Sequence, residues 1–262
     1  MTTFNVATLN IAGSRNPDAV RRLRYKHNIS VMGLQEVDRN AKRSEYRDVA
    51  REIAAHDAKW AYSPSMRFGH LKRASETPDY KAPATGTEDD AHYGVALIST
   101  LPFKHERIHL GPDGDYWSVT DRKAQREIEP RSAIAATVAV GNKNVYFVLA
   151  HTAYTEDRSQ SSPVRVAQLK TLEDYIESYI PPWAPLIAMG DFNATPENPD
   201  MEYFTRNFKT ASVLTYPVHE DKMPDRQIDY IFYRNLEAAG DLYTYLDPSV
   251  ADHALLVASF KL

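Results

Sequence analysis

The chain has 262 residues, 43% hydrophobic and 25% charged, a balance too apolar for disorder and sufficient to bury a sizeable core. Thirty-one Lys+Arg against 35 Asp+Glu give a net charge of −4, so the whole chain is no cationic nucleic-acid clamp, although one groove can still be basic. The absence of cysteine excludes disulfides, thiolate metal sites and cysteine nucleophiles.

In chain order, FNVATLN predicts a strand through Phe4, Val6 and Leu9. Asn16-Pro17 then reads as a helix cap followed by proline in the first turn, with a helix to about Asn28. Ser30–Val37 is a largely apolar second strand, and Ser44 to about Ala55 a second helix with Tyr46, Val49, Ala50 and Ile53 on one stripe. From Ser63 to His92 periodicity fails under prolines, glycines and a TGTEDD tract, which predicts a long functional or disordered loop. Strands return at Tyr93–Ser99, Ser132–Val140 and Val145–His151, with a polar interruption over Gly111–Pro130. Ser162-Pro163 repeats the cap signal before a helix whose Leu172, Tyr175, Ile176 and Tyr179 face a core, and Pro181-Pro182 ends it. Further strands are expected at Pro185–Met189, Ile228–Tyr233, Leu242–Leu246 and Leu255–Phe260. This order predicts an α/β fold with two packed sheets flanked by helices, in one domain over residues 1–262. No apolar run approaches the ~18 residues of a membrane span. The segment MTTFNVATLN has no basic-then-apolar leader, so a soluble cytoplasmic protein without an obligate protein partner is expected.

The chemistry-bearing residues fall at strand ends, where a sheet aims side chains into a shared crevice while its backbone stays rigid. Asn10 closes the first strand, Glu36 the second, and His151 ends VYFVLAH; Asp191 and Asn193 lie in GDFN, Asp229 in QIDYIFY, and Asp252-His253 precede the last strand. Each has a bland explanation: a turn-forming Asn, a solvated Glu, a packed His, an Asp side chain closing its own turn. Asp229 is harder to explain so. Flanked by Ile228, Tyr230, Ile231 and Phe232, it should be partly buried and need a partner, for which His253 is one obvious candidate. The set is rich in oxygen and free of sulfur. Glu36, Asp252 and the amide oxygen of Asn10 therefore suit a hard cation, Mg²⁺ or Mn²⁺, rather than Zn²⁺. His151, His253 and Asn193 can donate to phosphoryl oxygens, and Asp191 can take a proton from water.

The ordered series TLN, QE, YGVALIS, PRSAI, AH, GDFNATP, QIDYIF and ADH resembles the endonuclease/exonuclease/phosphatase superfamily, the deoxyribonuclease-I-like metallohydrolases. The resemblance implies a four-layer α/β sandwich of two packed mixed β-sheets flanked by helices, and metal-assisted hydrolysis of a phosphoester. It implies Glu36 as principal metal ligand with Asn10 and Asp252, and Asp191 as the proton-handling acid. Asn193 and His151 would be phosphate contacts, Asp229 and His253 a dyad, and Arg131 an electrostatic support. Departures occur at Ala251, where a serine usually precedes Asp-His, at Gln227 and at Ala150. These bear on substrate class more than on catalysis.

The two polar interruptions interleave aromatics with cations: Arg67, Phe68, His70, Lys72, Arg73, Tyr80 and Lys81 in one, Tyr116, Trp117, Arg122, Lys123 and Arg126 in the other. That pattern suits base stacking and phosphate contact, although loop aromatics equally serve to anchor loops. A phosphodiesterase acting on nucleic acid is the leading expectation. The alternatives are hydrolysis of a small or lipid-derived phosphoester, and a non-catalytic binding module.

Overall fold

A computed structural model describes residues 2–13, 16–67, 91–111 and 130–262. Twelve strands among these form two mixed sheets. One sheet contains β1 (Thr3–Asn10), β2 (Val31–Arg39), β3 (Lys59–Arg67), β4 (His92–Ser99), β10 (Glu237–Ala238), β11 (Tyr243–Tyr245) and β12 (Leu255–Lys261), in the order β10-β12-β1-β2-β4-β3, with β11 also pairing β12. The other runs β5-β6-β7-β8-β9, built from β5 (Phe103–Leu110), β6 (Arg131–Val140), β7 (Lys143–His151), β8 (Leu186–Asp191) and β9 (Asp229–Arg234). Among the described strands only β1–β2 and β7–β8 pair in parallel.

The pleat assigns alternate residues to opposite faces, and this builds the layers. Phe4, Val6, Val95, Leu97, Leu256 and Phe260 of the first sheet meet Ile134, Val138, Phe147, Leu149, Ile187, Met189 and Ile231 of the second in a shared core. The residues between them in sequence face outward. Ala7, Leu9, Met32 and Leu34 pack under α1 (Pro17–Lys26) and α2 (Val49–Ala54). Ala133, Val148, Ala188, Tyr230 and Phe232 pack under α3 (Pro163–Tyr179) and α4 (Glu202–Asn207). Four layers result, as the resemblance implies.

Local signals explain most elements. The Asn16 side chain accepts from the Ala19 amide and that of Ser162 from the Arg165 amide, each with proline opening the helix. Leu172 and Ile176 are buried on the α3 stripe and Tyr175 is half-buried against it, whereas Tyr179, expected there, is 70% exposed in the last turn. The second helix is shorter than expected. Glu45 and Tyr46 take positive φ after a 3-10 turn over Lys42–Ser44, so α2 begins only at Val49, where Asp48 caps the Arg51 amide. Tyr46 is correspondingly exposed rather than on the buried stripe.

Two strands carry no clear periodicity. β5 is an edge strand paired only with β6, its polar residues Lys104–Arg107 outward, and β3 is the opposite edge of the other sheet, where Pro64 falls at a register shift. Within Ser63–His92 and Gly111–Pro130, residues 68–90 and 112–129 lie outside the described residues. The aromatic and cationic residues singled out in those stretches all fall in these two ranges except Arg67, which ends β3 and whose side chain is likewise outside the described part.

No helix among the described residues is long and apolar enough to cross a membrane.

Candidate functional site

The register of three neighbouring strands sets one wall of the site. His151 lies opposite Asp191 across β7–β8, and Asp191 opposite Asp229 across β8–β9. All three share the parity of Phe147, Met189 and Ile231, so their side chains point between the sheets, at the strand ends where the apolar core stops. This close row needs Gly190, at φ +137, where a Cβ would stand 1.9 Å from the Ala150 carbonyl oxygen. Gly190→Ala is expected to destabilise the protein by about 3 kcal/mol in urea unfolding. Because the strain falls between His151 and Asp191, it should disturb the spacing of this row as well.

The facing wall comes from the other sheet. Strict alternation would send Glu36 to the helix-covered face with Leu34. A bulge between Leu34 and Val37, with Glu36 at φ +57, turns it to the cleft instead. There its Oε1 accepts from Asn10 Nδ2 at 3.1 Å, and the same nitrogen donates to Asp191 Oδ2 at 3.0 Å, joining the two sheets through one amide. Asp252 and His253 follow from the turn before β12. Asn10, Glu36, Arg131, His151, Asp191, Asn193, Asp252 and His253 all line one cleft of about 360 Å³. Asp229 sits directly behind, fully buried, its Oδ2 accepting from His253 Nδ1 at 2.9 Å. The partner expected for that buried acid is the one found.

GDFN is also the closed turn of the bland explanation. Asp191 Oδ1 accepts from the Asn193 amide at 2.8 Å while Asn193 takes φ +49. The turn is pinned by Arg165, a fully buried side chain that donates to the Asn193 carbonyl at 3.1 Å and to Asp200 Oδ2 at 2.9 Å. Phe192 anchors it from below against Phe204, Tyr230 and Phe232.

Charge is distributed unevenly among the buried groups. Burial opposes a charge on His253, but the adjacent Asp229 carboxylate, with Asp191 and Asp252 behind it, outweighs that and pushes its pKa up to about 10. His151 goes the other way: burial, then the Arg131 and His253 cations, hold it well below the ordinary imidazole range. Burial and the Asp229 charge raise Asp191, against the opposing pull of His253 and the Asn10 hydrogen bond. The cleft therefore carries a cationic His253 on one side and a neutral His151 on the other. Their Nε2 atoms lie 3.9 Å and 3.7 Å from the same oxygen of Asp191.

Two groups bear on a metal. Asp191, Asp229 and His253 bring ligand atoms within 4.8 Å of one another, close enough to hold an ion. Yet Nδ1 of His253 is committed to Asp229, and a protonated imidazole has no lone pair to offer, so this trio is better suited to hold a proton. Glu36 and Asp252 are hard donors on the cleft wall, and a half-buried carboxylate turned inward by a strained bulge fits a divalent cation; the Asn10 oxygen accepts from the Ala12 amide at 3.0 Å, which leaves it one lone pair, while its Nδ2 faces Glu36.

Sequence reasoning missed Arg43, Tyr93, Tyr154, Arg158 and Tyr216 as cleft residues. Arg43 pairs bidentately with buried Asp38 at 2.6 and 2.7 Å, and Arg131 reaches the Tyr93 hydroxyl at 3.3 Å and His151 at 3.1 Å. Tyr93 opens the YGVALIS strand, but nothing in the local sequence marks it or the others as facing the cleft.

The chain belongs to the Endonuclease/Exonuclease/phosphatase family, whose profile matches residues 3–253, and whose members are typically phosphoester hydrolases. Solved structures share the fold throughout. A family protein from Bacteroides vulgatus is 17% identical, with 100% of each chain covered and a TM-score of 0.69. The human Nocturnin catalytic domain, solved with a bound sulfate anion, is 18% identical over 99% of this chain and 93% of its own, with a TM-score of 0.66. A truncated Caenorhabditis elegans TDP2 is 18% identical over 99% and 98%, with a TM-score of 0.62. No curated protein matches the chain.

Proposed function

We propose that this cleft hydrolyses a phosphodiester, with nucleic acid as the substrate, in a domain comprising the whole chain. The observation that carries the reading is the convergence of His151 and Asp191 from one sheet, with Asp229 buried behind them, on Asn10, Glu36 and Asp252 from the other side of one opening.

Glu36, Asp252 and the Asn10 oxygen would hold Mg²⁺ or Mn²⁺. Such an ion, when bound, polarises a phosphoryl oxygen and steadies the leaving oxygen. The protein's own groups do the rest. Asp191, with its raised pKa and its carboxylate facing the opening, is the better base for the attacking water, since a cationic His253 has no lone pair to accept the proton. His253 instead donates from Nε2 to a non-bridging oxygen as charge accumulates there, held in place by Asp229. The Arg131 guanidinium adds a further donor beside the neutral His151, whose ring is held by Asn193 Nδ2 at 3.2 Å while the same nitrogen donates to the Thr152 carbonyl. Support for a nucleic-acid substrate comes from arginines and tyrosines lining the same cleft.

The test is product release with Mg²⁺ from plasmid DNA and oligonucleotides, run beside small phosphodiesters and sphingomyelin. Nicking or trimming is expected. Turnover of a small ester or of sphingomyelin with nucleic acid untouched would overturn the substrate assignment. Binding with no turnover of any substrate, by both wild type and Glu36→Ala, would make the protein a binding module.

A further inference from the structure

The cleft contains a stack that the hydrolytic reading does not use. The guanidinium carbon of Arg158 lies 4.8 Å from the ring centroid of Tyr154 and 4.7 Å from that of Tyr216. The Tyr216 ring in turn lies 4.6 Å from His253. Arg158 Nε donates to Asn193 Oδ1 at 3.3 Å, while Nδ2 of the same amide faces His151.

Two features distinguish Arg158 from its neighbours. Arg43, Arg165 and Arg226 are each paired with an acid: Asp38, Asp200 and Asp225. Arg158 makes no ion pair among the described residues; its contacts are Asn193 and the two tyrosine rings. Tyrosine rings also cover it, and Tyr216 is itself occupied by His253. A guanidinium this close to two tyrosine rings has less of its face to offer a base. It presents its edge, a planar fork of N–H donors that matches phosphate oxygens.

We infer that Arg158 is a specificity residue that binds a second phosphate, the one flanking the scissile group, so that the cleft selects a strand with consecutive charged linkages over an isolated phosphoester. This rests on the phosphodiester reading above. Asn193 separates the two positions: one side of its amide faces the proposed scissile site and the other faces Arg158.

The experiment compares binding of the trinucleotide TpTpT with its two analogues in which one or the other phosphate is a neutral methylphosphonate. Binding is measured by calorimetry with EDTA present, so that turnover plays no part. In wild type both neutralisations should weaken binding, each by about tenfold for a lost charge-assisted contact. In Arg158→Gln, which keeps an amide donor for Asn193 but no charge, neutralising one linkage should cost nothing further, while neutralising the other still costs its full amount. Arg158→Ala provides the same comparison if the glutamine variant folds poorly. The inference is overturned if both penalties persist in the variants, if both vanish together (a contact to the scissile phosphate itself), or if wild type shows no penalty. Failure of wild type to hydrolyse TpTpT with Mg²⁺ would count against the phosphodiester reading and leave this comparison intact.

Discussion

Glu36→Ala is expected to lower metal-supported turnover by about a thousandfold, equivalent to about 4 kcal/mol of lost transition-state stabilisation. Glu36 is the inward-facing carboxylate on the β2 bulge, and its partner there is the Asn10 amide, which keeps a second acceptor in Asp191. The core beneath it is untouched, so the melting temperature should stay near that of wild type. Titrating Mn²⁺ into the variant should restore part of the rate at high concentration, because Asp252 and Asn10 remain. Wild-type turnover by the variant at low Mg²⁺ would remove Glu36 from the metal site. A large loss of stability would show instead that the residue serves the bulge.

Asp229→Asn should cost about a hundredfold to a thousandfold in kcat with little change in KM, since Asp229 acts through His253 rather than on substrate. An amide in place of the carboxylate removes the charge that keeps His253 protonated, and the imidazole loses its fixed orientation. The same exchange has a signature in stability. In wild type the His253 pKa is raised in the folded state above its ordinary value of 6.5, to about 10. Its contribution to stability is therefore fully present below pH 6.5 and is lost as pH rises through about 10. Urea unfolding across that window should show wild-type stability falling with pH and the variant's nearly flat. Parallel profiles would mean that His253 is neutral, and the choice of Asp191 as base would lose its reason.

Much of the fold, and the grouping of most candidate site residues, was legible in the sequence because strong local chemistry agreed with the final packing. The proline-opened helices at Asn16 and Ser162 and the apolar strands ending at His151 and Asp191 are marked by caps and runs that tertiary contacts reinforce. The pairing of Asp229 with His253 followed from placing an acid among aromatics and aliphatics, a cost that demands a partner. What was not legible has equally physical causes. β5 and the edge of β3 are held by backbone ladders, which leave no apolar rhythm, and α2 starts late because two residues take positive φ. The inward turn of Glu36 depends on a bulge invisible to alternation. Arg158 is placed by two tyrosines, one 4 residues before it and the other 58 after it in sequence.

The measurement that bears most directly on the metal site and the base is an anomalous difference map from crystals of the protein soaked in Mn²⁺. A single strong peak coordinated by Glu36 and Asp252, with the Asn10 oxygen beside it, is the predicted result. A peak enclosed by Asp191, Asp229 and His253 instead, with Glu36 and Asp252 away from the ion, would contradict it, because the proposed base and the proton-holding dyad would then be metal ligands.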